Sequence, residues 1–185
     1  MTSHSDIPTE RLLLRLLPVD AVSATADGDI GEIARLLDCT VPREWLAVQQ
    51  LAEMRMEQLR GDPDYLPWSI RAVLLRETNE AVGYVNFHAR PAQHPEFPEA
   101  SNMAEIGYTI FEPWRRRGIA RESLAALLRF AFENGADQAV LSIAPDNSAS
   151  LRLASQFGFR KIGTQIDEID GPEDVFLLSL SSLER

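Results

Sequence analysis

The 185-residue sequence has a single cysteine, Cys39, which excludes an internal disulfide and any multi-cysteine zinc site. Its three histidines lack the spacing of metal ligands, so we expect no metal. Basic residues are also scarce: 18 stand against 28 acidic ones, a formal net charge of −10. This balance excludes a general nucleic-acid binder, because such proteins depend on Lys and Arg at the phosphates, and it disfavours an anionic membrane surface.

Long hydrophobic runs are missing as well. No apolar run approaches the ~20 residues that span a bilayer. The N-terminus has no basic segment followed by an apolar one, so we expect no signal peptide and a cytoplasmic location. With 45% hydrophobic and 25% charged residues, the composition predicts one globular domain over residues 1–185, with residues 1–8 as a flexible tail. The oligomeric state stays open between a monomer and a homodimer.

Hydrophobic periodicity predicts mixed elements in the first half of the chain and alternating strands and helices in the second. The first half predicts a strand over 10–17, two short helices within 18–38, a helix over 42–61 and a hairpin of 68–76 and 81–89. Residues 90–102 carry three prolines without periodicity, so we expect a loop that is a candidate for the substrate side. The second half predicts strands over 103–111, 138–144, 159–168 and 173–181, and helices over 117–134 and 147–157. This alternation indicates a mixed sheet with helices on its faces.

A basic turn joins the strand 103–111 to the helix that follows it. Arg115, Arg116 and Arg117 precede Gly118 and the small residue Ala120. The first turn of a helix carries amide groups without helical partners and the positive end of the dipole, so such a turn favours phosphate. A solvated basic turn is equally compatible with the charge alone. Neither a Gly-x-x-x-x-Gly-Lys-Ser/Thr loop nor a Gly-x-Gly-x-x-Gly motif after the first strand is present.

The motif that is present, Arg115-x-x-Gly118-x-Ala120, fits a Gln/Arg-x-x-Gly-x-Gly/Ala pattern. With it, the chain resembles the GNAT superfamily of acetyl-CoA-dependent N-acetyltransferases, and within it the RimJ/RimL-like branch. Three further stretches resemble that branch: residues 9–16, residues 104–110 followed by Pro113, and residues 147–159. The resemblance covers residues 9–17 and about 81–181. It implies an α/β (α+β) GNAT-type fold, a mixed, mostly antiparallel sheet of six or seven strands flanked by about four helices.

The resemblance also implies the reaction, which is acetyl transfer from acetyl-CoA to a primary amine by direct attack. The pyrophosphate would bind backbone amides of 116–121, and the pantetheine arm would lie between strands 103–111 and 138–144. The cosubstrate-binding residues implied are Ile110, Phe111, Arg115, Arg116, Arg117, Gly118, Ile119, Ala120, Arg121, Asn147 and Arg152. The amine acceptor, a protein N-terminus or a small molecule, would be selected by residues 18–67 and 89–102. No nucleic acid or membrane partner is expected.

One residue of the family pattern is missing. Much of the superfamily carries a Tyr seven residues after the Asn of the helix 147–157, where this chain has Ala154. The RimL-like pattern offers Ser150 as hydrogen-bond donor to the departing thiolate or as conduit for a water, with Tyr108 as reserve acid. Ser150 is one helical turn from Asn147, so the two can share a face. Asn147 is either the helix N-cap or a ligand of the cosubstrate, and the two roles are compatible.

Glu105 resembles the strand glutamate of the family and is the candidate base for the ammonium proton, directly or through water. A plain surface carboxylate remains the alternative. Period-two alternation places Glu105 and Tyr108 on opposite faces, so both could serve one reaction only if the strand bulges. A bulge near Ile110 would also present a backbone amide to the developing oxyanion. Because the usual Tyr is missing, a non-catalytic acyl-CoA-binding sensor stays open, and the basic turn alone leaves open a different nucleotide-phosphate enzyme.

Overall fold

The computed structural model describes residues 6–167 and 171–181. Its eight strands are β1 (Ile7–Pro8), β2 (Leu12–Leu16), β3 (Arg71–Leu75), β4 (Glu80–Phe87), β5 (Met103–Ile110), β6 (Gln138–Ile143), β7 (Arg160–Asp167) and β8 (Gly171–Ser179). Its five α-helices are α1 (Val19–Asp27), α2 (Ile30–Leu37), α3 (Gln49–Gly61), α4 (Ile119–Glu133) and α5 (Ser148–Phe157). In the part of the chain that is described, no helix is both long enough and apolar enough to cross a membrane.

The strand order is β1-β2-β3-β4-β5-β6-β8-β7. The β5–β6 pair is parallel, whereas β1–β2, β2–β3, β3–β4, β6–β8 and β7–β8 are antiparallel. The predicted α/β fold with a mixed, mostly antiparallel sheet is therefore confirmed.

Two predicted counts were low. The sheet has eight strands rather than six or seven, because Ile7 and Pro8 pair with Leu14 and Leu13. Part of the predicted flexible tail is thus a strand, and residues 1–5 lie outside the described residues. Proline is tolerated here because an edge strand has one ladder only. The described helices also exceed the predicted four, since short 3₁₀ segments at Arg43–Val48, Pro63–Trp68 and Glu112–Trp114 accompany the five α-helices.

The chain folds as two compact units, and the first comprises the chain up to His88 together with Tyr108–Ala126. Alternate residues of β2, Leu12, Leu14 and Leu16, are buried. The helix predicted over 42–61 begins as the 3₁₀ segment and continues as α3. Trp45 is fully buried in that segment, where its Nε1 donates to Thr25 Oγ1 (3.2 Å) and its ring lies edge-on to Phe111.

Within this unit, β4 lies unusually close to the end of β5. A Cβ atom at Gly83 would be 2.2 Å from the Thr109 carbonyl oxygen and 2.9 Å from Ile110 Cα. The Phe111 amide donates to the Val82 carbonyl (2.9 Å) just beyond the strand. Only glycine permits this approach of two backbones, so Gly83 determines where the end of β5 lies.

The second unit comprises Ala89–Gly107 and the chain from Leu127 onward. Its core contains Ala100, Met103, Val140, Val175 and Leu177, with Phe97 packed against it. The loop predicted over 90–102 is ordered by its own hydrogen bonds. Gln93 Nε2 donates to carbonyls along the loop, including that of Ala100 (3.1 Å), and the buried His94 accepts the amides of Glu96 and Phe97 at Nδ1.

Candidate functional site

The basic turn lies between β5 and α4 in the first unit. Arg115 Nε donates to the Ile110 carbonyl oxygen (2.9 Å), which ties the turn to the end of the strand. Arg116 has φ 61° and Gly118 has φ 76°, so the backbone enters the left-handed region twice before α4 begins. Glycine adopts this conformation without strain, whereas arginine does not. The side chains of the three arginines are exposed.

The start of α4 has the features of an anion site. The first hydrogen bond onto the helix runs from the Glu122 amide to the Gly118 carbonyl (3.1 Å). The amides of Ile119, Ala120 and Arg121 precede that bond at the positive end of a 15-residue helix. The arginines of the turn add positive charge there, so the residues present fit a pyrophosphate.

A partly exposed ion pair that the sequence did not indicate holds this turn. Arg11 Nε donates to Glu122 Oε2 (2.7 Å), and Arg11 Nη1 donates to the Arg117 carbonyl (3.0 Å). Thr9 Oγ1 and the Arg11 amide donate to Glu122 Oε1 (2.6 and 2.8 Å). Burial opposes ionisation of Glu122, but the hydrogen bonds from Thr9 and Arg11 outweigh it and lower the pKa of the carboxyl. Because Glu122 balances the charge of Arg11, this pair shapes the turn rather than adding charge to it.

The predicted pantetheine contacts lie at the end of β5. The Phe111 amide is bonded to Val82, and the Ile110 carbonyl accepts from Arg115. The Phe111 ring packs near Trp45, Tyr84 and Trp114. These contacts fix the backbone at 110–111, and binding of pantetheine there stays a prediction. The Tyr108 hydroxyl oxygen is buried in the same strand.

In the second unit, the ladder between β5 and β6 is short. Their ladder joins Met103, Ala104 and Glu105 to Gln138, Ala139 and Val140. The next residues of β6, 141–143, pair with β8 on the other side. Within the described residues, the register of β5 with β6 ends at Glu105.

Glu105 is half-buried and hydrogen-bonded to residues that the sequence did not single out. Ser142 Oγ on β6 donates to Glu105 Oε1 (2.7 Å). Gln165 Nε2 on β7 donates to Ser142 Oγ (3.2 Å) and to Glu173 Oε2 on β8 (3.2 Å). Their positions on four different strands explain why no local motif could predict this grouping.

Helix α5 carries the remaining candidates. Asn147 is its N-cap, and Asn147 Oδ1 accepts the Ser150 amide (3.1 Å), which confirms the capping role. The Ser150 side chain is half-buried and Arg152 is exposed. Ala154, at the position of the usual tyrosine, is fully buried. The structure therefore places Asn147, Ser150 and Arg152 on one short helix, and their contact with a cosubstrate stays a prediction.

Burial raises the pKa of the Cys39 thiol, an effect that Arg15 opposes and Asp38 reinforces, so the nucleophilic thiolate is disfavoured. Among residues 6–167 and 171–181, no three His, Cys, Asp or Glu side chains are grouped so that they could hold a metal ion.

Comparison with known proteins accords with this geometry. Residues 11–160 match the model of the acetyltransferase (GNAT) domain. An uncharacterised N-acetyltransferase, YycN from Bacillus subtilis, is 30% identical over 99 residues, which cover 54% of this chain and only 58% of that relative's length.

Solved structures extend the likeness over almost the whole chain. A protein from Vibrio cholerae, provisionally described as a ribosomal-protein-serine acetyltransferase, is 25% identical with a TM-score of 0.61, covering 97% of this chain and 99% of its own. RimJ from Mycobacterium smegmatis, solved in complex with a CoA-disulfide, shares the fold at 17% identity with a TM-score of 0.60, covering 94% of this chain and 84% of its own. Because the domain model spans most of the sequence, the chain belongs to the GNAT acetyltransferase family.

Proposed function

We propose that the chain transfers the acetyl group of acetyl-CoA to a primary amine. The observation that carries the proposal is the start of α4, where amides 119–121 and the arginines of the turn fit a pyrophosphate in a chain of the GNAT family. The likeness to RimJ, which was solved with a CoA-disulfide, supports the same class of ligand. Arg115, Arg116, Arg117 and Arg121 would neutralise its charge.

The residues of the second unit would supply the proton chemistry. Acetyl-CoA provides the acetyl group as a thioester, and the amine must lose its proton before its nitrogen can attack. Glu105 would accept that proton, directly or through water. As the N–C bond forms and the C–S bond breaks, Ser150 would donate to the departing sulfur or hold a water that does. Ser150 is favoured over Tyr108, because the Tyr108 hydroxyl is buried whereas Ser150 reaches the surface.

The acceptor is proposed as an amine that is cationic before it reacts. A net charge of −10 attracts cations and repels polyanions. A protein N-terminus and a small-molecule amine both satisfy this condition. The name of the Vibrio cholerae relative points to a protein acceptor for that relative.

A second candidate function is a non-catalytic acyl-CoA-binding sensor. The buried Ala154 favours it, because a methyl group stands where much of the family has an acidic hydroxyl. Both functions require the same cosubstrate site, and only turnover separates them.

Thermal unfolding with different nucleotides tests the cosubstrate. CoA at 100 times its dissociation constant stabilises a protein by about 2.7 kcal/mol, which for this size raises Tm by roughly 5–10 °C. We expect this shift with CoA and a smaller one with ATP or NAD at the same concentration. Arg117→Ala should weaken CoA binding about 10-fold or more, because a hydrogen bond to a charged group is lost. Arg129→Ala, an exposed arginine further along the same helix, is the matched control. Stabilisation by ATP or NAD without stabilisation by CoA would overturn the proposal.

A further inference from the structure

A row of four polar residues crosses the second unit on one face of its strands. Ser142 lies two residues beyond Val140, the partner of Glu105, and pairs with Val175. Glu173 lies two residues before Val175 and pairs with Gln165. Paired residues and alternate residues point to the same side of a sheet. Glu105, Ser142, Glu173 and Gln165 therefore share a face.

This polar row borders the apolar core of the unit. Met103, Val140 and Val175 are buried, and each lies two residues from a member of the row on the same strand. Valine would continue that face without any polar group to satisfy, whereas the buried atoms of polar side chains are costly unless they are hydrogen-bonded. Positions at which a sequence departs from the local pattern are often functional.

The hydrogen bonds of the row have a fixed direction. Gln165 Nε2 carries two protons, directed at Ser142 Oγ (3.2 Å) and Glu173 Oε2 (3.2 Å). A serine hydroxyl has one proton to give. Since Ser142 accepts from Gln165, that proton points to Glu105 Oε1 at 2.7 Å. Gln165 thus orients Ser142, and the Glu173 carboxylate anchors Gln165.

We propose that Ser142, Gln165 and Glu173 are positioning residues, which hold the Glu105 side chain and favour its ionised form. This inference rests on the proposed function, in which Glu105 accepts a proton from the ammonium form of the acceptor. A carboxylate has about four acceptor positions, and the bond from Ser142 occupies one of them. One proton passes from the ammonium nitrogen to Glu105, and the neutral amine attacks the acetyl carbon. As the N–C bond forms and the C–S bond breaks, the second proton of the nitrogen passes to the departing CoA sulfur through Ser150 or water, and Glu105 returns its proton to solvent after the product leaves.

Carboxyl NMR on the whole chain tests the row without turnover. The protein is labelled with ¹³C at the glutamate carboxyls, and Glu105→Gln identifies the Glu105 resonance. Removing a donor to a charged group favours the protonated form, so in Ser142→Ala the titration midpoint of that resonance should rise by about one pH unit. Ser142→Thr keeps the hydroxyl and should restore the wild-type midpoint. Gln165→Leu should shift it in the same direction by a smaller amount. Equal midpoints in the wild type and Ser142→Ala would overturn the inference.

Kinetics separate failure of this inference from failure of the proposed function. Peptides with free N-termini and spermidine are tested as acceptors, and the best one is used for a pH profile. In Ser142→Ala, the acid limb of kcat/KM should move to higher pH while KM for acetyl-CoA stays unchanged. If Ser142→Ala acetylates the acceptor, and neither the acid limb of kcat/KM nor the titration midpoint of the Glu105 resonance moves, the positioning role is rejected. The proposed function is then left intact. A shifted resonance without acetylation of any amine would reject the proposed function, and with it the catalytic purpose of the row.

Discussion

Arg116 adopts φ 61° in the middle of the basic turn, a conformation that costs an L-residue with a Cβ roughly 1–2 kcal/mol. The strained residue is retained where the turn meets the first amides of α4, so its charge is expected to serve the cosubstrate at some cost in stability.

Two substitutions separate the strain at Arg116 from its charge. Arg116→Gly relieves the strain but adds backbone freedom to the unfolded chain, so its free energy of unfolding should stay within about 1 kcal/mol of the wild type. Arg116→Val removes the same charge and places a β-branched residue at positive φ, so it should be less stable than Arg116→Gly by roughly 1–2 kcal/mol. Urea unfolding measures both. Equal stability of the two variants would contradict the left-handed conformation.

Ser150 is the residue on which the protonation step depends most. Ser150→Ala should lower kcat by roughly 100-fold, the lower part of the range for positioned acid–base groups, because the departing sulfur loses its donor. The dissociation constant of CoA should change little. Ser155→Ala, an exposed serine on the same helix, is the control and should leave both quantities unchanged. An unaltered kcat in Ser150→Ala would place the donor elsewhere, and Tyr108→Phe would then test the reserve acid.

At the scale of elements, the strands and helices were largely predictable because each carries its own signal. The break between α1 and α2 follows from Gly28, which ends α1 in the left-handed conformation, and the start of α5 follows from the capping ability of Asn147. Strand β1 was not predictable, because two residues show no periodicity and their pairing with β2 is tertiary. The ordered conformation of residues 90–102 was not predictable for a similar reason. Side-chain hydrogen bonds of Gln93 and His94 hold this loop, and such bonds leave no periodic pattern in the sequence.

The candidate site was predictable only where its residues are neighbours in sequence. The turn 115–121 and the Asn147–Ser150 pair lie in contiguous motifs. Arg11 is separated from Arg117 by 106 positions, and Ser142 from Glu105 by 37. A single sequence does not indicate such contacts, because they form only when the strands pair in the folded chain.

Because Gly83 lies where β4 packs against β5, we predict that a larger residue at this position lowers the stability of the chain. Gly83→Ala would place a methyl group 2.2 Å from the Thr109 carbonyl oxygen, and both atoms belong to strands that cannot yield easily. We expect a loss of about 1–3 kcal/mol or more in the free energy of unfolding and weaker CoA binding, since the end of β5 must move. Gly61→Ala, where no atom lies within 4 Å of the added carbon, should show neither effect. Wild-type stability of Gly83→Ala in urea unfolding would contradict this packing.

The contact of Thr9 and Arg11, between β1 and β2, with Glu122 on α4 makes stability depend on pH. The pKa of Glu122 is lower in the folded chain than in the unfolded chain, so its contribution is present above the unfolded value and is lost as pH falls through the folded value. Glu122→Gln should be less stable than the wild type near neutral pH, and the difference should shrink on the acid side. Thermal unfolding of both proteins between pH 7 and about pH 3 measures this. A difference that does not depend on pH would show that the charge of Glu122 contributes nothing.

At the scale of the whole molecule, charge is unevenly distributed along the sequence. The chain carries a net −10, yet four of its 18 basic residues fall within positions 115–121. A general polyanion is repelled by the acidic excess, whereas one small anionic ligand can bind at a single helix start. The same acidic excess favours a cationic acceptor. Composition alone argues against a general nucleic-acid binder, and the local arginine cluster predicts a small phosphate ligand.

The most direct measurement of the central claim is a turnover assay with product identification. The purified chain is mixed with acetyl-CoA and a panel of amines that contains peptides with free N-termini, spermidine and amino acids. Thiol release is followed over time, and acetylated products are identified by mass. We predict thiol release that depends on one class of amine and is matched by an equal amount of N-acetylated product. Tight binding of CoA with no acetylation of any amine would contradict the account and favour the acyl-CoA sensor.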